Sequence, residues 1–309
     1  MTRITVTVPA TTANLGPGFD CLGAALNLHN HLTFSRLTDA EPDLMITVTG
    51  SESDRVTTDK SNLLYQAFCH LYQTLGQNPP PVKMEIQLGV PLARGLGSSA
   101  TAIVGGLVGA NLLAGQPFSQ TEVLAMAIAL EGHPDNVAPA LLGGCQLSVN
   151  AGEASQLVAI AWQSNLVPVL AIPDFELSTE KARAVLPADY TRKDAIFNAS
   201  HLALLIKALE SGNGDWLRLA LEDQIHQPYR QALIPGYPAM KTAALEAGAY
   251  GLVISGAGPT LLAIVAPETA SQVAETLKTT WQAQGIQSDV KVLALDNQGT
   301  RSHSLPAEN

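Results

Sequence analysis

The run Pro91-Leu92-Ala93-Arg94-Gly95-Leu96-Gly97-Ser98-Ser99-Ala100-Thr101 sets two glycines before consecutive hydroxyls, a combination suited to holding phosphate. Glycine tolerates positive φ and lets an anion approach the backbone with no Cβ in the way. A helix starting at the serines would turn its unpaired N–H groups and the positive end of its dipole toward that anion. Three readings compete for the run. It can be a plain strand-to-helix turn capped by Ser98, or a dinucleotide fingerprint, since Gly95-x-Gly97-x-x-Ala100 fits the formal pattern. It can also be a triphosphate loop of a kind that lacks Gly-Lys-Ser/Thr and uses hydroxyls instead. The fingerprint needs a following strand that ends in an acid, whereas Ser119-Gln120-Thr121-Glu122 is a capping box that opens another helix. A second group with chemical potential is Glu131-Gly132-His133-Pro134-Asp135-Asn136, which reads as a helix end leaving an acid, an imidazole and an amide on a turn.

These groups need elements to position them. Alternation of Val82, Met84, Ile86 and Leu88 with polar residues predicts a strand before the glycine loop, and Ala100 to Ala114 reads as a buried helix after it. Strands are expected near 3–8, 44–49, 82–88 and 145–149, with helices near 61–75, 98–114 and 120–131. The second half is expected to open on a strand at 166–172. Helices near 179–186, 193–210, 214–226 and 236–247 follow, then strands at 251–255 and 260–265, a helix at 268–283 and a strand at 289–294. Strand, helices, two strands, helix, strand is the split βαβ order of a ferredoxin-like layer. The tail from Asp296 is polar and is expected to be poorly ordered.

With 309 residues, 46% of them hydrophobic and 14% charged, the chain suits a globular α+β enzyme of two domains, divided here as 1–160 and 161–309. A net charge of −10 argues against nucleic acid as a partner, because a phosphate-backbone binder needs a basic face. The amino-terminal stretch, Met1 to Val8, alternates as a strand and carries no export signal, and no run is long and apolar enough for a membrane span. Cys21, Cys69 and Cys145 are scattered, with no zinc or disulfide pattern, which points to a reducing cytoplasm.

The glycine loop resembles the second motif of the GHMP kinases. Val8-Pro9-Ala10-Thr11-Thr12-Ala13-Asn14-Leu15-Gly16-Pro17-Gly18-Phe19-Asp20-Cys21-Leu22-Gly23 is similar to the amino-terminal motif of the homoserine-phosphorylating branch, and Ser255-Gly256-Ala257-Gly258-Pro259-Thr260 to the third motif. The resemblance implies a two-domain fold, with a half like ribosomal protein S5 domain 2 and a ferredoxin-like half, the active site lying between them. It implies ATP bound by Pro91 to Thr101, and Mg²⁺ held by Ser99 and Glu131. It implies L-homoserine as the small-molecule substrate, phosphorylated on its hydroxyl to O-phospho-L-homoserine on the route to threonine. For that substrate it suggests Asp20 for the ammonium and Asn14 for the hydroxyl end. Arg183, in the S-T-x-x-A-R-like run from Ser178, and Arg230 are suggested for the carboxylate. Thr179, His133, Asn136 and Gly256 complete the implied substrate site, with Asn136 and Asn14 at the chemistry.

Several kinases of this family use an aspartate base where Asn136 stands, and an amide cannot take a proton. The expectation is therefore direct in-line transfer without a side-chain base, through alignment and electrostatic stabilisation. Asp135 is adjacent to Asn136 and His133 can orient Asn136 or cap a turn, so both stay open as assistants. A mevalonate-type substrate and an inactive nucleotide-binding relative are the alternatives, and a homodimer stays open as the assembly. The two arginines together with Asp20 favour an amino acid, because mevalonate has no ammonium.

Overall fold

Alternating burial along β1 (Arg3–Asn14) puts Ile4, Val6 and Val8 on one face, as period-2 patterning requires. In this computed structural model, which describes residues 3–38, 42–151 and 154–305, β1 pairs antiparallel with a 19-residue strand, β2 (Gly18–Arg36). Met1 and Thr2, at the start of the expected first strand, lie outside the described residues. The chain continues through β3 (Leu44–Thr49), α1 (Leu63–Thr74), β4 (Val82–Gln87), α2 (Ser98–Leu113), α3 (Gln120–Glu131), α4 (Pro134–Leu142), β5 (Cys145–Ala151) and β6 (Ala154–Ile160). The second half holds β7 (Val167–Pro173), α5 (Thr179–Ala184), α6 (Arg192–Ser211), α7 (Gly214–Ala220), α8 (Gln227–Arg230), α9 (Tyr237–Glu246), β8 (Gly251–Ile254), β9 (Leu261–Val265), α10 (Ala270–Gln282) and β10 (Ser288–Val292). Last comes β11 (Arg301–Leu305).

One sheet has the order β11-β1-β2-β4-β3, with β5 on the near half of β2 and β6 beyond it; the other has the order β10-β7-β9-β8. The second order is that of a ferredoxin-like layer, and the architecture is α+β, as the sequence implied. Three apolar clusters fill it. The first joins the large sheet to α1–α4 through Val8, Phe34, Met84, Phe68, Val104 and Leu107. The third buries one face of the small sheet under α9 and α10, through Met240, Leu277 and Trp281. The second cluster matters most for the site, because it mixes Leu15, Leu22 and Leu96 of the first half with Leu170, Leu209 and Leu262 of the second. Burial on that scale, at about 25 cal/mol per Å² of apolar surface, holds the two halves in register.

Four expectations need correction. β2 occupies 18–36, where no strand was expected, and β6 is a second unforeseen strand. The turn after Glu131 is only Gly132 and His133, because Pro134 opens α4 at its first position, where a missing N–H costs nothing. The predicted helix 214–226 stops at Ala220 as α7 and gives way to a turn before the short α8, organised by Asp223, which accepts from the N–H groups of Ile225, His226 and Gln227. As far as Leu305 the tail is ordered, while 306–309 lie outside the described residues: β11 adds to the edge of β1, so the last described strand belongs to the first sheet and not to the second half.

Candidate active site

A cleft of about 380 Å³ opens where the three glycine-bearing runs meet. Its lining includes Ala93, Gly95, Gly97, Ser98 and Ser99 of the loop, with Gly256, Ala257 and Gly258 opposite. Gly97, at φ 66°, is the N-cap of α2 and offers no side chain, so the first turn of that helix presents its N–H groups uncapped. The reading with Ser98 as cap is corrected: Ser98 is the first helical residue. The glycines also serve contacts within the protein. A Cβ on Gly95 would stand 2.3 Å from the Ser255 carbonyl oxygen, and one on Gly97 2.0 Å from Thr11 Oγ1. Ser255 Oγ donates to the Gly95 carbonyl at 2.7 Å and Gly256 N to the Ala13 carbonyl at 2.9 Å, which binds the three runs to one another.

The Cα of Glu131 ends α3, and its carboxylate accepts from Ser99 Oγ at 2.8 Å. Across one turn, the buried Asp135 accepts from His133 Nδ1 at 2.6 Å and from Asn136 Nδ2 at 3.3 Å. The Asp135 hydrogen bond holds the His133 imidazole above its ordinary range, against the effect of burial. Thr11 Oγ1 donates to Asn136 Oδ1 at 2.7 Å, which fixes the amide with its oxygen toward β1. His133 is thus tied to Asp135 and makes no cap bond, and Asp135 faces the cleft.

The remaining wall carries charge. Asp20 and Arg183 form a two-point pair, Nη1–Oδ2 at 3.0 Å and Nη2–Oδ1 at 2.7 Å. Asn14 is buried at φ 72°, donates to the Gly256 carbonyl at 2.7 Å and accepts from the Asp20 N–H at 2.9 Å. Its amide therefore shapes the turn that presents Asp20. Arg230 is 1% exposed, with Nε on the Ala182 carbonyl at 3.1 Å and Nη1 on the Gly256 carbonyl at 3.2 Å. No carboxylate pairs with it among the described residues, and burial lowers its pKa below the ordinary guanidinium value. Thr179, at the start of α5, lines the rim.

The other predicted loop residues stand elsewhere. Pro91 and Arg94 line a separate shallow depression, and the Arg94 guanidinium is spent on the Pro173, Leu92 and Asp174 carbonyls, locking the loop to the end of β7. The Leu92 N–H donates to Glu52, Leu96 and Ala100 are core, and Thr101 Oγ1 bonds Asn30 and the Ser98 carbonyl. Sequence reading missed Thr11, whose partner is 125 residues away, and Phe19, which lies under Arg230 at 5.0 Å and Arg183 at 5.7 Å. Leu63 and Leu130 were also missed, though both line the cleft as exposed apolar residues.

A model of the GHMP kinases N terminal domain matches residues 62–144, and one of the GHMP kinases C terminal matches residues 205–283. A homoserine kinase from Microchaete diplosiphon is 62% identical over 98% of this chain and 98% of its own length, and one from Synechocystis sp. is 63% identical over 97% and 98%. A crystal structure of homoserine kinase from Cytophaga hutchinsonii superposes with a TM-score of 0.88 at 32% identity, covering 97% of each chain. A crystal structure of mevalonate kinase, at 13% identity and a TM-score of 0.70, shares the fold alone.

Proposed function

The chain belongs to the GHMP kinase family, in its homoserine kinase branch, and on that premise we propose that it transfers the γ-phosphoryl group of ATP to the hydroxyl of L-homoserine. The observation that carries the substrate is Arg230, a buried guanidinium without a carboxylate partner among the described residues, at the wall of the cleft. A buried cation is costly until an anion joins it, and the planar fork suits a carboxylate. Beside it, Asp20 and Arg183 offer a carboxylate and a second guanidinium, charges complementary to an α-amino acid. In the absence of substrate they satisfy each other, and homoserine inserts its ammonium toward Asp20 and its carboxylate toward the arginines. Mevalonate also has a carboxylate, but it brings no ammonium to take the place of Arg183 at Asp20.

The uncapped first turn of α2 binds triphosphate, and exposed Leu63 and Leu130 offer apolar faces to the base. Ser99 Oγ and Glu131 Oε2 are hard oxygen donors 2.8 Å apart on the cleft, a set that fits Mg²⁺ sharing its remaining positions with phosphate and water. When bound, the ion neutralises charge on the phosphates. No side-chain base is needed. Asn136 accepts from Thr11 and donates toward Asp135, and His133 is held toward its protonated form by Asp135, so neither is a ready proton acceptor. These residues align the hydroxyl, and its proton passes to the phosphate. Comparing homoserine with 3-aminopropan-1-ol, which lacks only the carboxylate, tests the substrate assignment. kcat/KM should fall by about 2–4 kcal/mol of transition-state binding without the carboxylate. Equal specificity constants would show that Arg230 does not read it.

A further inference from the structure

Arg230 can clamp a carboxylate only if its guanidinium is already aimed, because a flexible cation loses rotamer entropy on binding. Its orientation comes from two backbone carbonyls and one ring. His226 is 0% exposed and precedes Arg230 by one turn of α8, so the two side chains share a face. Arg230 Nη1 lies 3.4 Å from His226 Nδ1, and His226 Nε2 lies 2.8 Å from the Gly16 carbonyl. A carbonyl only accepts, so Nε2 must carry the proton, which leaves Nδ1 as the lone-pair acceptor that an arginine requires. Phe19 closes the arrangement, stacked on the ring at 5.1 Å and lying under Arg230.

We infer that His226 is the positioning residue of the carboxylate clamp: through Nδ1 it aims Arg230, and through Nε2–H it fixes that aim to the Gly16 turn of the run that presents Asp20. This rests on the homoserine reading above. It adds that the acidic and basic recognition groups are set by one neutral imidazole between them. Burial pushes the His226 pKa down to about 4, with Asp223 opposing and Arg230 reinforcing, so the ring is neutral at working pH and presents no second cation to Arg230. Asp223 in turn accepts from the backbone N–H groups of His226 and Gln227 and from Asn198 Nδ2, which anchors the start of α8.

Two isosteric halves of the ring separate aiming from packing. His226→Asn keeps an acceptor near the Nδ1 position, and His226→Gln keeps a donor near Nε2 but presents nothing to Arg230. Steady-state kinetics should show the homoserine KM raised about 10-fold or more by the Gln variant, as expected for one lost hydrogen bond to a charge, and rescued by Asn. The kcat, the ATP KM and the rate with 3-aminopropan-1-ol should stay within about threefold of wild type in both, since none involves the carboxylate. A homoserine KM unchanged in the Gln variant, or raised equally in both with loss of 3-aminopropan-1-ol turnover, would overturn the assignment. Nitrogen-15 NMR of histidine-labelled protein is independent of any variant. It should find His226 as the Nε2–H tautomer, and an Nδ1–H tautomer would refute the aiming role. A wild type that does not phosphorylate homoserine would instead remove the substrate reading, and this inference with it.

Discussion

Arg230 is the residue whose surroundings say most about the ligand, because nothing anionic among the described residues pairs with it at the cleft wall. Arg230→Leu should cut kcat/KM for homoserine by about 2–4 kcal/mol and leave the ATP KM nearly untouched, and homoserine kinetics like wild type would make it a mere packing residue. The same reasoning applied to Glu131, on Ser99 at 2.8 Å, predicts that Glu131→Gln needs more Mg²⁺ for half-maximal rate; coincident magnesium titrations would remove it from the ion site. His133 gives a signed prediction. Asp135 raises its folded pKa above the ordinary 6.5, so its contribution to stability is complete below that value and is lost as pH rises through the folded pKa. The stability gap between wild type and His133→Gln should therefore be wider at pH 6 than at pH 9 in urea melts, and a gap that does not narrow contradicts the pairing. The acids and bases of the cleft were legible through the resemblance of the runs that carry them to the family's motifs, since a lone arginine such as Arg183 or Arg230 otherwise reads as a surface charge. Thr11 and His226 were not, because a hydroxyl and an imidazole become functional only through partners 125 and 210 residues away.

At the scale of elements, the glycines of the site are spacers between runs. Gly97→Ala puts a Cβ 2.0 Å from Thr11 Oγ1 at positive φ, so it should cost about 1–3 kcal/mol of stability and displace the Thr11–Asn136 bond. A Gly97→Val variant, with a branched side chain at the same point, should be worse still. Wild-type melting together with wild-type turnover in Gly97→Ala would refute the spacer account. Gly23 in β2 has the same role, since a Cβ there would meet the Asp135 carbonyl oxygen at 1.7 Å and push α4 off the sheet. This is also why β2 was hard to see. Its first half, Gly18 to Leu26, gives up alternation for small residues that admit α4, and register shifts beside Pro9 and Ala13 break the pattern further. By contrast α2, α3 and β4 followed the expected boundaries closely, because the glycine loop marks the start of α2, the Ser119–Glu122 capping box and Gly132 bound α3, and β4 keeps its strand alternation. In α4 the signals misled: Gly132 and Pro134 stop one helix and start the next within three residues.

Across the whole molecule the end of the chain returns to the first sheet and secures it to the site. Ala294 and Asp296 pair with Asn27 and Ala25, the Thr300 N–H and Oγ1 donate to the Leu141 and Ala140 carbonyls at the end of α4, and Arg301 and His29 share Asp296. The polar composition that suggested a loose tail is the composition of these hydrogen bonds. Ending the chain at Asp296 should therefore lower Tm by about 5 °C or more and reduce kcat through α4; a truncated protein with unchanged Tm and rate would make the strand ornamental. The central claim is that the cleft phosphorylates an alcohol bearing both a carboxylate and an ammonium. Coupled ADP release with L-homoserine, mevalonate, galactose or no acceptor tests it most directly. The account predicts saturable turnover with homoserine, and rates near the acceptor-free background with the other two. Turnover with mevalonate or galactose matching or exceeding that with homoserine, or none above background with homoserine, would contradict it.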